Sequence, residues 1–503
     1  MSIVVATAPR TQVQGSFESS AAGRVGEAVL FFYTLPSHKS LSYHVPRSIH
    51  LGATDLNQLL SKIESKEAVV SIIGLGYVGL PLATAVEAAG FRTIGIDTSQ
   101  DRVEAVNRGD YSPEQTRDTS EEGAGVALAA KDPSEPTALR FSATTDYATL
   151  KDADIAIICV PTPLSKTGDP NLSYVIAAAD GIAKGFHPGM LIILESTGYP
   201  GMTEEVLLPR LQDAGGDAWE VGRDFFVAFS PERIDPGRAD WTVRNTPKVV
   251  GGVTSSCLQM VEALYSRVID SVVPVSSPRV AEMTKLIENT FRATNIALVN
   301  EIAMMCERLG VDVWEAIDAA KTKPFGFMAF YPGPGLGGHC IPVDPQYLAW
   351  KLKTLDYNAR FIQLAAEINM GMPAHVAGRV ADALNDARKP LNGSRVLLLG
   401  VAYKPNVGDI RESPALDLIE LLQGKGVEVT YNDPYVSRIE LADSALDSVT
   451  LDEEVLKTAD CVVITTDHAV YDWQWVVDNS QLIIDTRNAT GSISTEKRWT
   501  AKA

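Results

Sequence analysis

The strongest constraint on the fold is the segment from Ala68 to Asp97, where a β-branched stretch runs into a glycine turn and then a helix. Val69 to Ile73 predict a buried strand, the run GLGYVG follows it, and a helical pattern continues to Gly90. A second apolar stretch then ends in Asp97. This order of strand, glycine turn, helix and strand ending in an acid is typical of dinucleotide-binding units.

Each glycine of this turn has its own physical role. Gly74 permits the tight turn, Gly76 lets backbone amides approach a pyrophosphate, and Gly79 lets the helix pack on the strand. The helix N-terminus then stabilises the phosphates. Asp97 would accept hydrogen bonds from a ribose and repel a 2′-phosphate, so we expect NAD as the cofactor rather than NADP. The alternative is a plain strand, helix and strand unit without a ligand.

Two later strands also end in small polar residues. The runs ADIAIICVPTPL and MLIILESTGYPG place Thr162, Ser196 and Thr197 just after apolar stretches. Open parallel sheets bind ligands at this edge, so these side chains are expected to extend the same site. Cys159 lies inside the first strand and is expected in the core. We interpret the polar stretch from Tyr111 to Arg140 as surface loop.

Charge and cysteine content exclude several function classes. The formal net charge of -19 argues against general nucleic-acid binding, which relies on a positive surface. The cysteines are odd in number and scattered, so they predict neither a disulfide framework nor a metal site. A reduced, cytoplasmic setting is therefore expected. These cysteines are residues 159, 257, 306, 340 and 461.

The N-terminal region does not resemble the rest of the chain. Residues 1–50 contain few acids and several Ser and Arg residues, and we interpret them as a disordered or atypical extension. The apolar run from Ala28 to Leu35 is too short to span a bilayer. We therefore expect no membrane partner.

A long helix is predicted from Ser277 to Gly310. Its apolar residues recur at helical spacing, which predicts one buried face. Lys285, Asn289 and Arg292 share a different face, and a solvated polar stripe is the plainer interpretation of that trio. A helix of this length would also offer a surface for a homodimer. The apolar set comprises Met283, Leu286, Ile287, Phe291, Ile296, Leu298, Val299 and Ile302.

A second α/β pattern follows the helical region. RVLLLGVAYKPN and the residues after it predict strand, loop, helix and strand, and two further buried strands come later. The first turn lacks G-x-G-x-x-G, but Lys404 and Arg411 could each pair with phosphate. The expected fold class is therefore α/β, with two Rossmann-like α/β domains joined by a central long-helix region.

Cys340 lies in the glycine-rich run GPGLGGHCIPVDP. Glycines before the thiol allow a ligand to approach closely, and Asp344 follows it by four residues. A nearby carboxylate could orient water or a catalytic lysine. The alternative is a buried cysteine in an ordinary turn.

These segments together resemble the UDP-glucose/GDP-mannose dehydrogenase family, over roughly residues 55 to 490. Within the family, GGHCIPVDP is most similar to the UDP-N-acetylglucosamine 6-dehydrogenases and then to the UDP-N-acetylmannosamine enzymes. The UDP-glucose enzymes usually carry Ser where this chain has His339. The matching runs, in the family's order, are GLGYVGLPLA, VPTPL, ESTGYPG, SPER, KLIENTFR, GPGLGGHCIPVDP and GVAYKPNVGDIRES.

The resemblance implies a domain plan and an activity. It implies an NAD-binding domain over 51–270, a central helical and dimerisation region with the cysteine loop over 271–384, and a UDP-binding domain over 385–503. The implied reaction oxidises the C6 alcohol of a UDP-sugar to the carboxylate with two NAD⁺. A thiohemiacetal and then a thioester would form on the cysteine.

The resemblance also implies roles for individual residues. Cys340 is the expected nucleophile, Asp344 works with water and with the catalytic Lys285, and Asn289 holds the developing oxyanion. Thr197 and Glu232 match positions that place water or transfer protons. The expected cofactor contacts are Gly74, Gly76, Tyr77, Val78, Gly79, Asp97, Arg102, Thr162, Thr197 and Arg411. The expected substrate contacts are Glu232, Arg233, Lys285, Asn289, Arg292, Tyr331, Gly337 and Lys404.

Several alternatives remain open at this point. Arg233 and Arg292 are included because they flank matched runs, and each could equally form a structural ion pair. His339 could tune the thiol or fill space next to the sugar. A two-electron dehydrogenase would need neither the thiol nor the second α/β domain. A non-catalytic NAD-binding or sugar-binding protein is the alternative from another class.

Overall fold

The computed structural model describes residues 53–110, 141–165, 168–216, 218–234, 240–442 and 444–499. The predicted N-terminal extension and the loop from Tyr111 to Arg140 lie outside these described residues.

The first domain is built on one twisted sheet of eight strands among the described residues. The strand order is β3-β2-β1-β4-β5-β6-β7-β8, and every pair is parallel except β6 with β7. The first six strands therefore follow the Rossmann order. The strands are β1 Val69–Ile73, β2 Arg92–Ile96, β3 Phe141–Thr144, β4 Ile155–Ile158, β5 Leu191–Leu194, β6 Phe226–Phe229, β7 Lys248–Gly252 and β8 Val272–Val275.

Helices cover both faces of this sheet and bury its apolar side chains in two clusters. Strand residues such as Ile72 and Ile158 are fully buried because a parallel sheet of this kind has helices on each side. The helices are α1 Ala53–Ser65, α2 Gly79–Ala88, α3 Gln100–Arg108, α4 Ser173–Ala183, α5 Leu208–Gly215 and α6 Ser255–Val268. A short 3₁₀ helix spans Tyr147–Asp152 and a π-helical turn spans Thr203–Leu207.

Four helices form the central region: α7 Pro278–Leu309, α8 Val313–Lys321, α9 Asp344–Lys353 and α10 Arg360–Asp386. The predicted long helix is confirmed as α7. It begins where the Ser277 side chain accepts a hydrogen bond from Val280 N–H, with Pro278 in the first turn. It ends at Gly310, whose φ of 65° is a left-handed cap.

The predicted faces of α7 are partly wrong. Leu286 and Val299 are buried as expected, but Ile287, Phe291, Leu298 and Ile302 are exposed. On the polar side, Glu282, Lys285 and Asn289 are buried instead. These polar groups find partners inside: Glu282, for example, accepts hydrogen bonds from the Gly201 and Thr203 amides at 2.5 and 2.9 Å. The availability of hydrogen-bond partners in the interior therefore decides which side of this helix is buried.

The C-terminal domain is a second α/β unit. Its main sheet is parallel, with the order β10-β9-β13-β14 among the described strands, and β11 and β12 form a small antiparallel pair. The two-domain α/β prediction is thus confirmed. The elements are β9 Arg395–Leu399, α11 Pro414–Gln423, β10 Glu428–Asn432, β11 Arg438–Glu440, β12 Ala445–Asp447, α12 Glu453–Thr458, β13 Cys461–Ile464, α13 Trp473–Asn479 and β14 Ile483–Asp485.

Among the helices that the structure describes, we find no segment with the length and apolarity that a bilayer crossing requires.

Candidate active site

The glycine turn connects β1 to α2 and has the geometry that a dinucleotide needs. Gly74 adopts φ 92°, and a Cβ there would lie 2.6 Å from the carbonyl oxygen of Cys159. A Cβ on Gly79 would lie 1.8 Å from the Gly74 carbonyl oxygen. A Cβ on Gly76 would meet nothing within 4 Å. Two glycines are therefore needed for packing, whereas Gly76 leaves open space beside the turn.

This difference gives a matched pair of variants. We expect Gly79→Ala to lower the melting temperature strongly, because its Cβ would overlap backbone that cannot move aside. Gly76→Ala should fold normally but bind NAD at least about tenfold more weakly, because its Cβ occupies the predicted pyrophosphate position. Thermal unfolding and NAD titration of both variants measure this. A Gly76→Ala protein that binds NAD normally would contradict the predicted position.

Asp97 follows β2 and is almost completely buried. Its carboxylate accepts hydrogen bonds from the Leu75 amide at 2.7 Å and the Ser99 amide at 2.9 Å. Arg102 on α3 pairs with the same carboxylate at 3.1 Å. The predicted ribose-binding acid thus lies directly under the glycine turn, and the predicted Arg102 lies beside it.

Cys340 is held at a junction between the central helices and the C-terminal domain. Gly335 and Gly338 before it adopt φ 140° and 92°. The Gly338 amide donates to the Arg411 carbonyl at 3.0 Å, which ties the loop to the segment after β9. The Asp344 amide donates to the Cys340 carbonyl at 2.8 Å, so one turn at the start of α9 places the carboxylate near the thiol.

Helix α7 supplies a cation and an amide to this junction. Lys285 Nζ donates to the Glu232 carbonyl at 2.5 Å and lies 3.2 Å from the Glu232 carboxylate. One turn later, the Asn289 amide donates to the Asp344 carboxylate at 2.5 Å. All four side chains are buried. Helical spacing predicted that Lys285, Asn289 and Arg292 share one face of α7. In the structure Lys285 and Asn289 lie in the site, whereas Arg292 is exposed.

The charges of this cluster shift its proton affinities. Burial raises the pKa of Asp344 to about 6, although Lys285 and the Asn289 amide oppose the rise. Burial and then Asp344 raise the pKa of the Cys340 thiol to about 11, with Lys285 acting against them. Burial alone would lower the pKa of Lys285, but Glu232, Cys340 and Asp344 outweigh it and hold the pKa above its ordinary value. Lys285 is therefore an ammonium ion and Asp344 a carboxylate above about pH 6.

The glycine turn and the cysteine loop touch through side chains. Tyr77 Oη lies 3.1 Å from His339 Nδ1 and 3.5 Å from Cys340 Sγ. The Arg411 guanidinium lies over the Tyr77 ring, 5.2 Å from its centroid, and pairs with the buried Asp409 at 2.7 Å. Three distant parts of the chain, two predicted for the cofactor and one for catalysis, thus meet at the thiol.

The other predicted cofactor residues surround the same edge of the first sheet. Val78 and Leu82 of the turn and helix line one small cleft together with Glu232 and Arg233. Thr162, after β4, is buried, and its carbonyl accepts a hydrogen bond from Tyr347 of α9 at 2.9 Å. Thr197 is half-buried in the loop that leaves β5.

Three of the predicted substrate residues, Gly337, Arg233 and Tyr331, have packing or ion-pair partners in this structure. Gly337 packs against the segment that carries Lys404, because a Cβ there would lie 2.6 Å from Cβ of Tyr403. Arg233 forms an ion pair with Glu288 of α7 at 2.5 Å, the structural alternative for this residue. Tyr331 is exposed, stacks on Trp314 at a centroid distance of 5.5 Å and donates to Asp318 at 3.0 Å. In this structure Tyr331 thus packs on α8.

Sequence reasoning missed Arg487, which follows β14 in the run DTRN. Its Nε donates to the Thr465 carbonyl at 2.9 Å, and a Cβ on Gly333 would lie 2.6 Å from one terminal nitrogen. Burial lowers the pKa of Arg487 despite Asp467 and Asp485 nearby. The signal was a cation just after a parallel strand, at the edge where such sheets bind ligands.

A buried amide pair that fixes the cysteine loop was also missed. Asn300 of α7 accepts from the Gly333 amide at 2.9 Å and donates to Asn369 of α10 at 3.0 Å. Asn369 in turn donates to the Ala293 carbonyl at 3.2 Å. Nothing in the sequence distinguishes these asparagines from other helical ones, because only the tertiary packing brings them together.

This arrangement can carry out nucleophilic chemistry on a carbonyl. It offers a thiol, a carboxylate that can accept a proton above about pH 6, and an ammonium and an amide that can stabilise an oxyanion. The dinucleotide-type turn adjoins the thiol, so a redox step and a covalent step would share one site.

Comparison with known proteins gives three family matches in chain order. The NAD-binding domain of the UDP-glucose/GDP-mannose dehydrogenase family matches residues 68–269, its central domain matches 279–371 and its UDP-binding domain matches 397–492.

Individual relatives agree with these matches. The chain is 37% identical over 374 residues to the UDP-N-acetyl-D-glucosamine 6-dehydrogenase of Pseudomonas aeruginosa, covering 74% of this chain and 84% of the relative. It is 36% identical over 429 residues to the UDP-N-acetyl-D-mannosamine dehydrogenase of Pyrococcus horikoshii, covering 83% and 95%. The solved UDP-D-ManNAc dehydrogenase structure from Pyrococcus horikoshii superposes with a TM-score of 0.72 at 34% identity, covering 84% of this chain and 96% of that one.

Proposed function

The chain belongs to the UDP-glucose/GDP-mannose dehydrogenase family and is an NAD-dependent UDP-sugar dehydrogenase, and we propose that its substrate is a UDP-N-acetylhexosamine. UDP-N-acetylglucosamine is the favoured sugar, and the product is the uronate formed by four-electron oxidation at C6. The observation that carries the proposal is the contact of Cys340 with Tyr77 of the cofactor turn, beside Lys285, Asn289 and Asp344.

The residues present fit NAD. The space beside Gly76 would be filled by any Cβ, and the buried Asp97 carboxylate lies under the turn where a ribose would come. Bound NAD⁺ supplies the hydride acceptor for each of the two oxidations. Gly74, Gly79 and the N-terminus of α2 would form the cradle that orients it, and Asp97 would select against a 2′-phosphate.

In the first oxidation the side chains of the central region handle the proton and the charge. The Asp344 carboxylate, through water, accepts the proton of the C6 hydroxyl. Lys285 stays charged and stabilises the developing oxyanion. Asn289 donates one amide hydrogen to Asp344 and has a second that can donate to the developing oxyanion. Lys285 thus acts as an electrostatic group rather than as a free base.

Cys340 then retains the aldehyde. Its sulfur adds to the carbonyl carbon, and the thiol proton ends on the oxygen of the thiohemiacetal. Loss of the second hydride from C6, with the hydroxyl proton passing through water to the Asp344 carboxylate, gives a thioester. Water then cleaves the thioester to the carboxylate and the free thiol. Glu232 and Thr197 are the groups proposed to place that water.

The UDP moiety would lie against the C-terminal domain. Lys404 follows β9, and the neighbouring Tyr403 packs on Gly337 of the cysteine loop. Lys404 is the proposed contact to the substrate diphosphate, with Arg487 at the carboxyl end of the same parallel sheet as a second cation. Arg411, on the segment that carries Lys404, remains the proposed contact to NAD. We retain Arg292 and Arg233 as proposed contacts to the diphosphate or to the product carboxylate, and Tyr331 with the glycine loop as the proposed cover for the uridine.

A substrate panel tests the proposal. Purified protein is incubated with NAD⁺ and UDP-GlcNAc, UDP-ManNAc, UDP-GalNAc or UDP-glucose, and NADH and uronate are both measured. We expect two NADH per sugar and the highest kcat/KM with UDP-GlcNAc. UDP-ManNAc is the second candidate, because the relative from Pyrococcus horikoshii bears that name. One NADH per sugar would exclude the four-electron reaction, and no NADH with any sugar would favour a binding protein.

The exposed apolar side of α7 supports the proposal of a homodimer, and the free cysteines support a reducing cytoplasm. Ile287, Leu298 and Leu309 are 56%, 52% and 73% exposed, and exposed apolar patches of this kind mark interaction surfaces. The cytoplasm is proposed because the five cysteines are free and the nucleophile must stay reduced. Sedimentation velocity showing a monomer at micromolar concentration would contradict the dimer, and cell fractionation would test the location.

A further inference from the structure

A tyrosine of the cofactor turn lies within hydrogen-bond distance of the proposed nucleophile. Tyr77 Oη, His339 Nδ1 and Cys340 Sγ form a triangle, with 3.1 Å from oxygen to nitrogen, 3.5 Å from oxygen to sulfur and 3.8 Å from nitrogen to sulfur. The two rings meet edge to face at a centroid distance of 5.7 Å. The proposed cofactor and substrate contacts described above do not account for this triangle.

The tyrosine is held in place from another part of the chain. Arg411 lies over its ring at 5.2 Å, and the Arg411 guanidinium is itself fixed by Asp409 through contacts of 2.7 to 3.2 Å. Tyr77 and His339 are 262 positions apart in the sequence. The tertiary fold, rather than a local turn, therefore brings these side chains together.

Charged groups from three separate elements act on the thiol. Lys285 comes from α7, Asp344 from α9 and Glu232 from the loop after β6, while Arg411 and Asp409 act on the imidazole. Burial and then Arg411 lower the pKa of His339 to about 4, so the imidazole is neutral at working pH. Burial and then Cys340 raise the pKa of Tyr77, so the phenol keeps its proton. The hydroxyl and the neutral imidazole each have one hydrogen to donate.

We propose that His339 Nδ1–H donates to Tyr77 Oη while the Tyr77 hydroxyl donates to the sulfur of Cys340, which stabilises the thiolate as it attacks the aldehyde. Tyr77 is then a catalytic residue, because it touches the reacting sulfur, and His339 is the residue that positions it. These two hydrogen bonds in series form a relay that holds the sulfur but transfers no proton. It rests on the proposed role of Cys340 as the nucleophile.

Two donors in series stabilise an anion more than one does, because the first polarises the second. The same loop backbone that would hold the pyrophosphate therefore carries the donor to the thiolate. His339 gains a specific role, because it fixes the hydroxyl of Tyr77 toward the sulfur. Under this proposal His339 tunes the thiol through Tyr77, which is one of the two roles that the sequence left open.

The test is the alkylation of Cys340 by iodoacetamide in Tyr77→Phe, His339→Ala and the double variant. Below the pKa of the thiol the rate is proportional to the thiolate fraction, and mass spectrometry of the Cys340 peptide separates it from the other four cysteines. We expect each single variant to react about tenfold more slowly than wild type at every pH between about 7 and 9. The double variant should lose no more than the larger single loss.

The controls separate this proposal from a folding defect and from the proposed function. Tyr431→Phe removes a buried hydroxyl in the C-terminal domain, which donates to Val436, and should leave the alkylation rate unchanged. The KM for NAD⁺ should stay within about twofold in Tyr77→Phe, because the ring and the backbone of the turn remain. Alkylation needs no substrate, so its outcome does not depend on whether UDP-sugars are turned over.

Equal alkylation rates in wild type and Tyr77→Phe would overturn the inference. Additive losses in the double variant would overturn the relay, because two independent contacts would then act on the sulfur. If Tyr77→Phe lost its native circular dichroism, His339→Ala alone would decide by the same measurement. Failure of the substrate panel with a clear alkylation shift would refute the proposed function and leave the relay as a property of the thiol.

Discussion

Cys340→Ala is expected to abolish formation of the uronate, with kcat for the acid reduced on the order of a thousandfold or more. The sulfur is the atom on which the aldehyde would be retained, and its neighbours Lys285 and Asp344 cannot replace it. The first oxidation needs only the proton acceptor and the oxyanion donors, so it should survive in part. The variant should therefore form at most one NADH per sugar, with free aldehyde that an added amine can trap.

The matched control is Cys306→Ala. Cys306 is a half-buried thiol near the end of α7, outside the cluster around Asp344. It should leave the two-NADH stoichiometry and the rate unchanged. Normal acid formation by Cys340→Ala would show that the thiol is not the nucleophile.

Lys285→Met is expected to lower kcat by about a hundredfold to a thousandfold. It removes the cation that acts on the Glu232 and Asp344 carboxylates and leaves both buried without it. In the wild type Asp344 has a pKa of about 6, and its carboxylate form is present above that value. Activity should therefore fall as the pH drops through about 6.

Removing the cation should also move the acid limb of the pH profile, which is the pH range in which activity falls as Asp344 takes up its proton. Lys285 lowers the pKa of Asp344, so in Lys285→Met the pKa rises and the fall in activity begins at a higher pH. The pH profile of kcat/KM with the best UDP-sugar measures both the rate and the limb. Lys353→Met is the control, because Lys353 is an exposed lysine at the end of α9, the helix that begins with Asp344. An unmoved limb would argue that Asp344 is not the titrating base.

Local signals allowed much of the fold to be predicted. The glycine turn, Asp97 and both α/β patterns come from short runs whose geometry depends on neighbouring residues. The ends of α7 follow from Ser277, Pro278 and Gly310 in the same way. These features needed no knowledge of the rest of the chain.

The buried face of α7 could not be predicted from spacing. Lys285 and Asn289 are buried because Glu232 and Asp344, from distant segments, supply partners for them, and spacing carries no information about those partners. Ile287 and Leu298 are apolar yet exposed, so periodicity alone gave the wrong side. The roles of Cys340 and Asp344 came from resemblance. Arg487 carried a sequence signal, as a cation just after a parallel strand, but the pairing of Asn300 with Asn369 appeared only in three dimensions.

The contact between Tyr77 and His339 also bears on how the protein assembles. It joins residues 262 positions apart, so unlike a local contact it needs the closure of a long loop of chain. During refolding, helices and the two sheets can form before that loop closes. Enzyme activity is therefore expected to return later than secondary structure, and a fragment containing only one of the two α/β domains would lack a complete reaction centre.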